Sequence, residues 1–245
     1  MHKRDIYTIL DNMKIANNVY RMVLAGDTQY ITTSGQFINV EIDGLYLRRP
    51  ISVCDYNEST ITIVYKVLGK GTDLLSQMAT GQTLDILTGL GNGFSIDNNS
   101  KKPLLIAGGV GTPPMYHLAK SLLEKEVTPT VILGFTGADD VFFENEFRAM
   151  GCEVYITTID GSYGTKGVVT DVMKTIGDYD YFYSCGPLPM LKAIATASKT
   201  SGQLSFEERM GCGFGGCMGC SCQTLIGNKR ICVDGPVLQK EEILW

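Results

Sequence analysis

No run of basic residues occurs anywhere in this 245-residue chain, whose formal net charge is −5. A mildly acidic balance without a basic stripe argues against nucleic acid as a partner. No apolar stretch approaches the length needed for a membrane-spanning helix, so no membrane partner is expected. No secretory leader is expected, since Met1-His2-Lys3-Arg4-Asp5 leads into no apolar segment, with Asp5, Asp11 and Lys14 interrupting it. The expected location is therefore the reducing cytoplasm, where thiols bind metals or do redox work rather than pair. Internal repeats and low-complexity segments are absent. What is there, 44% hydrophobic and 19% charged residues, fits a globular protein of one to two domains plus an appendage.

Cysteine is the residue in which the chain is concentrated. Five of its eight cysteines fall between Cys212 and Cys232. Four of them, Cys212, Cys217, Cys220 and Cys232, read C-x4-C-x2-C-x11-C, the ligand spacing of a plant-type 2Fe-2S cluster. The surrounding glycines, Gly211, Gly213, Gly215, Gly216 and Gly219, suit a backbone that wraps an anionic cluster and turns its N–H groups toward sulfur. Zinc is the competing reading. Structural zinc sites usually offer two separated Cys-x2–4-Cys knuckles, whereas here three ligands crowd together and the fourth stands alone. Cys222 is left over as a small apolar residue.

The first hundred residues carry the signals of strands. Residues 60–67 alternate, with Ile61, Ile63, Tyr65 and Val67 on one face. Short apolar runs at 18–24, 36–42, 51–54 and 83–87 are separated by turn residues, which predicts a small antiparallel β-barrel over residues 1–98. From Lys102 the period changes. Strands at 103–107, 130–135, 153–159 and 181–184 alternate with helical patterns at 141–150, 168–174 and 187–199, and the face Met115, Leu118, Ala119, Leu122 marks another helix. That rhythm predicts an α/β parallel-sheet nucleotide domain over residues 99–202. Residues 203–245 carry the cysteines and are too short for a core of their own, so a small metal-held domain is expected.

Gly109-Val110-Gly111-Thr112-Pro113-Pro114 follows the strand at 103–107 as G-x-G-x-x-P. Its glycines would let a pyrophosphate approach the backbone, and the helix that follows offers N–H groups and the positive end of its dipole. Cys185-Gly186-Pro187 ends another predicted strand at the same carboxyl edge, where ligands of such sheets bind; alone, Cys185 reads as a buried structural thiol. Arg48-Arg49-Pro50-Ile51-Ser52 would put a guanidinium able to hold phosphate at the start of a strand, and Gly69-Lys70-Gly71-Thr72 is a glycine turn opening a short helix at 72–78. Either could be a surface turn. Beside a nucleotide sheet and an iron–sulfur loop they make sense as a flavin site, because nicotinamide gives up two electrons as hydride while a 2Fe-2S cluster takes one, and a flavin can divide the pair.

Taken together, Arg49-Pro50-Ile51-Ser52, Gly71-Thr72, Gly109-x-Gly111-x-x-Pro114, Cys185-Gly186-Pro187, the block from Met210 to Cys220, and Cys232-Val233-Asp234-Gly235-Pro236 resemble the electron-transfer subunits of class 1B, NAD-dependent dihydroorotate dehydrogenases. These are similar to ferredoxin-NADP reductases with a 2Fe-2S domain appended, and the resemblance runs from about residue 5 to the C-terminus. It implies FAD on Arg49, Pro50, Ile51 and Ser52, on Val64, Tyr65 and Lys66, and on Gly71 and Thr72. It implies NAD on Gly109, Gly111, Thr112 and Pro114 with Cys185, Gly186 and Pro187 beside the nicotinamide, and the cluster on Cys212, Cys217, Cys220 and Cys232. It further implies a partner subunit that holds FMN and the dihydroorotate site, in a heterotetramer of two subunits of each type serving de novo pyrimidine biosynthesis. This chain would then carry no chemistry on the pyrimidine.

One position departs from the wider reductase pattern Arg-x-Tyr-Ser. Ile51 stands where a tyrosine would stack on the flavin ring, which leaves the ring partner unidentified. Gly134-Phe135-Thr136-Gly137-Ala138-Asp139-Asp140 offers no Arg or Lys for a 2′-phosphate and favours NAD over NADP. Two rival readings stand: the small subunit of another flavin and iron–sulfur oxidoreductase, of the ferredoxin:NADP or sulfide dehydrogenase type, and a non-catalytic redox sensor.

Overall fold

A computed structural model of the chain describes residues 2–245. Six strands, β1 (Lys3–Ala16), β2 (Val19–Ala25), β3 (Phe37–Val40), β4 (Arg49–Tyr56), β5 (Thr60–Lys66) and β6 (Thr83–Leu90), close into an antiparallel barrel in the order β1-β2-β5-β4-β3-β6. Alternation fills it: Ile61, Ile63 and Tyr65 of β5 point inward with Tyr7, Ile9, Met22, Leu24, Ile38 and Val40. Closure leaves no open sheet edge. The 14-residue β1 does most of the closing, pairing with β6 through its first half and β2 through its second. Register shifts between Ile9 and Asp11 and between Lys14 and Ala16 bend it around the barrel. A short helix, α1 (Lys70–Ser76), follows β5.

The second unit is a seven-stranded sheet in the order β10-β9-β8-β7-β11-β12-β15. Its members are β7 (Pro103–Gly108), β8 (Thr130–Phe135), β9 (Glu153–Thr158), β10 (Thr165–Lys166), β11 (Tyr181–Cys185), β12 (Gly202–Ser205) and β15 (Val237–Gln239). All pairings are parallel except that of β15 with β12. Every residue of β7 is buried because both sheet faces are covered. Leu105 and Ala107 pack beneath α2 (Thr112–Leu123) and near α3 (Glu144–Ala149), while Leu104 and Ile106 pack toward α4 (Val169–Met173) and α5 (Leu188–Ala197). The order reverses at β7, where β8 lies on one side and β11 on the other. Ligand crevices of open parallel sheets open at such a reversal.

The barrel and the α/β unit anticipated from periodicity are both present. Residues 203–245 begin as the strand β12 and return as β15, so the cysteine segment is anchored in the second sheet at both ends. Between them a glycine-rich loop leads into a hairpin of β13 (Ser221–Thr224) and β14 (Gly227–Arg230). Helix α2 also packs against β4 and joins the two units. Across that seam Lys120 Nζ lies 2.7 Å from Asp55, the His117 ring stacks on Tyr56 at 4.7 Å, and Ser34 Oγ sits 2.5 Å from His117 Nδ1.

Candidate functional site

A cleft of about 690 Å3 runs between the outer face of β4–β5 and the carboxyl edge of the parallel sheet. Of the residues singled out from sequence, Pro50, Ile51, Ser52, Val64, Tyr65, Lys66 and Thr72 line its barrel side, and Gly109, Gly111, Cys185, Gly186 and Pro187 line its sheet side. Val64, on the face of β5 opposite Ile61, Ile63 and Tyr65, is only 3% exposed, because the second unit covers that side of the strand. Lys66 Nζ stands 3.9 Å from Asp140 Oδ1 and ties the two walls together.

Arg49, Gly71, Thr112 and Pro114, also singled out from sequence, lie behind the walls. Arg49 starts β4 and folds its guanidinium over Gly71; a Cβ there would fall 2.3 Å from Arg49 Nε, so glycine is what lets the two meet. Thr72 Oγ1 accepts the Leu68 N–H at 3.0 Å and closes the turn that opens α1. Thr112 and Pro114 are buried in the first turn of α2. Gly111 is in close contact with the neighbouring loop, where a Cβ would lie 2.1 Å from the Cys185 carbonyl oxygen. The G-x-G-x-x-P turn and the Cys-Gly-Pro turn are thus packed backbone to backbone at the strand-order reversal.

The cleft also contains residues that were not assigned to a cofactor from sequence. Phe37 enters from β3, Phe135, Thr136 and Thr157 from the ends of β8 and β9, and Phe206, Glu207 and Met210 from the segment after β12. Phe206 is backed by the C-terminal Trp245, with ring centroids 6.1 Å apart. Apart from Phe37, which opens a barrel strand, their signal was positional: each lies at or just after the carboxyl end of a parallel strand, and β12 had been read as part of the cysteine segment. Burial pushes the Cys185 thiol up to about 12, against the Ser205 side chain, so it stays a neutral thiol.

Three buried hydroxyls at this edge, Thr112 Oγ1, Thr157 Oγ1 and Ser184 Oγ, have no hydrogen-bond partner among the described residues. Buried polar atoms are normally paired, and unpaired hydroxyls beside a glycine turn and a helix N-terminus suit a polar phosphoribosyl ligand. The barrel wall, built of Ile51, Val64 and backbone with Arg49 close by, suits a flat ring with a phosphate tail. The residues present fit a dinucleotide on one side and a flavin on the other.

The cysteine loop presents its thiols as two pairs. Cys212 Sγ accepts N–H groups from Gly216 at 3.2 Å and Cys217 at 3.4 Å, while Cys217 Sγ accepts those of Cys212 and Gly219, both at 3.4 Å. Cys220 Sγ accepts the Cys232 N–H at 3.4 Å. Burial works against ionisation of Cys212, but the N–H groups around it outweigh burial and hold the thiol below its ordinary value. Burial and the adjacent Cys220 push Cys232 up. Among the described residues no three Cys, His, Asp or Glu side chains converge on a single metal position. Two thiol pairs with N–H donors close to sulfur suit the thiolate ligands of an iron–sulfur cluster. Cys222 stands on the adjoining hairpin, opposite Lys229.

Comparison with known proteins places this geometry. Residues 207–244 match the family described as the iron–sulfur cluster binding domain of dihydroorotate dehydrogenase B. A structure of an NADH-dependent reduced ferredoxin-NADP oxidoreductase, studied for electron bifurcation, superposes with a TM-score of 0.87 and 31% identity over 98% of this chain and 90% of that one. Phthalate dioxygenase reductase, at 20% identity and a TM-score of 0.65 over 79% of this chain and 64% of that chain, shares the fold. Barrel, dinucleotide sheet and cysteine loop define a flavin reductase of the ferredoxin-NADP reductase type with an iron–sulfur extension. Relatives named dihydroorotate dehydrogenase B (NAD(+)), electron transfer subunit, are 42% identical in a Geobacillus strain over 100% of both chains, and 41% identical in Fusobacterium nucleatum over 96% of both. The chain belongs to that family of electron transfer subunits.

Proposed function

We propose that this chain carries electrons between a dihydroorotate-oxidising catalytic subunit and NAD+, using a 2Fe-2S cluster on Cys212, Cys217, Cys220 and Cys232 and FAD in the cleft. As an electron transfer subunit it works with a catalytic partner. In this reading the partner holds FMN, two copies of each chain assemble, and the complex works in the cytoplasm. Among the described residues no helix is long and apolar enough to cross a membrane.

A flavin held here would supply hydride chemistry toward nicotinamide and one-electron chemistry toward the cluster. The residues of this chain supply placement and electrostatics. Arg49, held over Gly71 just behind the barrel wall, would supply a forked donor for the flavin phosphates. Ile51, Ser52 and Val64 give the ring an apolar wall with one hydroxyl on it. Gly109 and Gly111, at the N-terminus of α2, offer backbone N–H groups to the dinucleotide phosphates. Cys185, a neutral thiol, places a compact, polarisable group beside the nicotinamide without adding charge. In the loop, N–H groups aimed at Cys212 and Cys217 favour the thiolates that iron requires.

The observation that carries the reading is the coexistence, in one cleft, of the barrel strands and the switch point of the sheet, with a four-thiol loop anchored in that same sheet. The ferredoxin-NADP oxidoreductase neighbour favours a second reading with the same cofactors and a different partner. The closer identity to the dihydroorotate dehydrogenase relatives and the match over the cysteine loop support the first. Co-expression with a candidate catalytic subunit, counts of iron, sulfide, FAD and FMN, and an orotate assay with NAD+ test it. Protein that is colourless after anaerobic, iron-replete preparation, or zinc in the loop, would overturn it.

A further inference from the structure

Strand β3 touches both proposed redox sites. Its Phe37 lines the cleft, and Asn39, two residues and about 6.7 Å further along the strand, reaches the cysteine loop: Asn39 Nδ2 donates to the Cys212 carbonyl at 3.2 Å. Ile38 and Val40, between and beyond them, point into the barrel core, so the strand cannot rotate without emptying it. Phe37, Asn39 and their neighbours pair in register with Ser52, Ile51 and Pro50 of β4. The Asn39 carbonyl accepts from Arg48, which also holds Asp85 at 2.7 Å.

Three features set Asn39 apart from an ordinary packing residue. It is 1% exposed, and its Oδ1 has no partner among the described residues. A buried amide that satisfies only its donor end is a poorer packing choice than leucine, so the donor contact is what the position gains from it. The carbonyl acceptor also decides which end of the amide faces the loop. On the loop side, Gly213 has φ of +81°, and a Cβ there would lie 2.5 Å from Asn39 Nδ2. The loop is therefore shaped around this side chain. Phe37 and Leu90 complete the contact by packing in one apolar cluster with Cys220, Ile231 and Cys232.

We propose that Asn39 is a positioning residue that clamps the Cys212 peptide to β3, and that β3 is the rigid spacer setting the separation of cluster and flavin. The inference rests on the cofactor placement proposed above. Its test uses the whole chain, prepared anaerobically with FAD and iron in place, and compares the parent with Asn39→Leu, which keeps the volume and loses the donor. Iron, sulfide and FAD are counted, the paramagnetic resonance of the dithionite-reduced cluster is recorded, and NADH-driven bleaching of flavin and of cluster is followed separately by stopped flow. The expected result is parental FAD content and flavin bleaching, a broadened cluster resonance, and cluster bleaching slowed several-fold. A parental resonance with parental cluster bleaching overturns the inference, as does an equal slowing of both steps, which would mark general structural damage. Should the Leu variant lose its iron, Asn39→Ser, smaller and still a donor, is read with the same outcomes. An iron-free parent would strike the cluster assignment itself, whereas an iron-loaded parent with an indifferent Leu variant strikes only the role of Asn39.

Discussion

Replacing Gly111 with alanine tests the switch point directly, because two backbone loops meet there with no side chain to yield. The new Cβ would lie 2.1 Å from Cys185 O, 2.4 Å from Cys185 C and 2.8 Å from Gly186 N. Restoring an ordinary contact of about 3.4 Å to that oxygen asks the loops to part by about 1.3 Å, the difference between the two distances. They extend from β7 and β11, hydrogen-bonded neighbours with Ala107 opposite Cys185, so the strain enters the sheet. Overpacking of this kind costs about 1–3 kcal/mol. Spent on the fold, it lowers the melting temperature by roughly 2–12 °C for a chain of this size. Spent on the dinucleotide site, it weakens NADH by roughly fivefold to 150-fold. Calorimetry and anaerobic NADH titration of the flavin colour separate the two, and FAD content should hold because the barrel is untouched. Gly109→Ala is the control for melting alone, because Gly109 lines the dinucleotide side of the cleft. That residue has φ of +51° with nothing within 4 Å of a Cβ, so only left-handed backbone strain of about 1 kcal/mol is added. Parental melting and parental NADH affinity in Gly111→Ala would refute the packing of the two turns.

Cys217→Ala should abolish iron incorporation while the barrel stays folded and FAD is partly retained; a full cluster by iron and sulfide analysis would remove Cys217 from the ligand set. Arg49→Ala should release most of the FAD on gel filtration, and undiminished flavin absorbance after the column would place the phosphates elsewhere. At the seam between units, burial holds His117 below its ordinary value of 6.5 against the opposing pull of Asp55. Between the lower folded value and about 6.5 the unfolded chain binds more protons, so stability present above 6.5 is lost as pH falls through that window. Melting followed from about pH 8 to about pH 5 should show the decline, and His117→Gln should flatten it; an unaltered slope in the variant would assign the decline to other groups.

Local pattern made the cysteine loop and the architecture legible. Ligand spacing is a property of consecutive residues, and the change from period two to alternating strands and helices needs no knowledge of what packs on what. The longest strand escaped that reading, since β1 carries Lys3, Arg4, Asp5, Asp11 and Lys14 and exposes Ile6, Leu10 and Met13 on its outer face. Its bulges break the alternation that would have revealed it. Strand β12 escaped for a different reason: Gln203 and Ser205 are buried because both sheet faces are covered, and nothing in their chemistry says so.

By itself, then, the order of residues determined the cofactor-bearing motifs and the succession of barrel, parallel sheet and thiol loop, because each rests on contacts or periodicities within a few residues. Only the tertiary structure decided which motifs share a wall. Gly111 against Cys185, Arg49 over Gly71, Lys66 toward Asp140 and Asn39 on the Cys212 peptide all join residues far apart in the chain. Those meetings depend on strand order and register, which emerge from the closure of the barrel and the reversal of the sheet at β7.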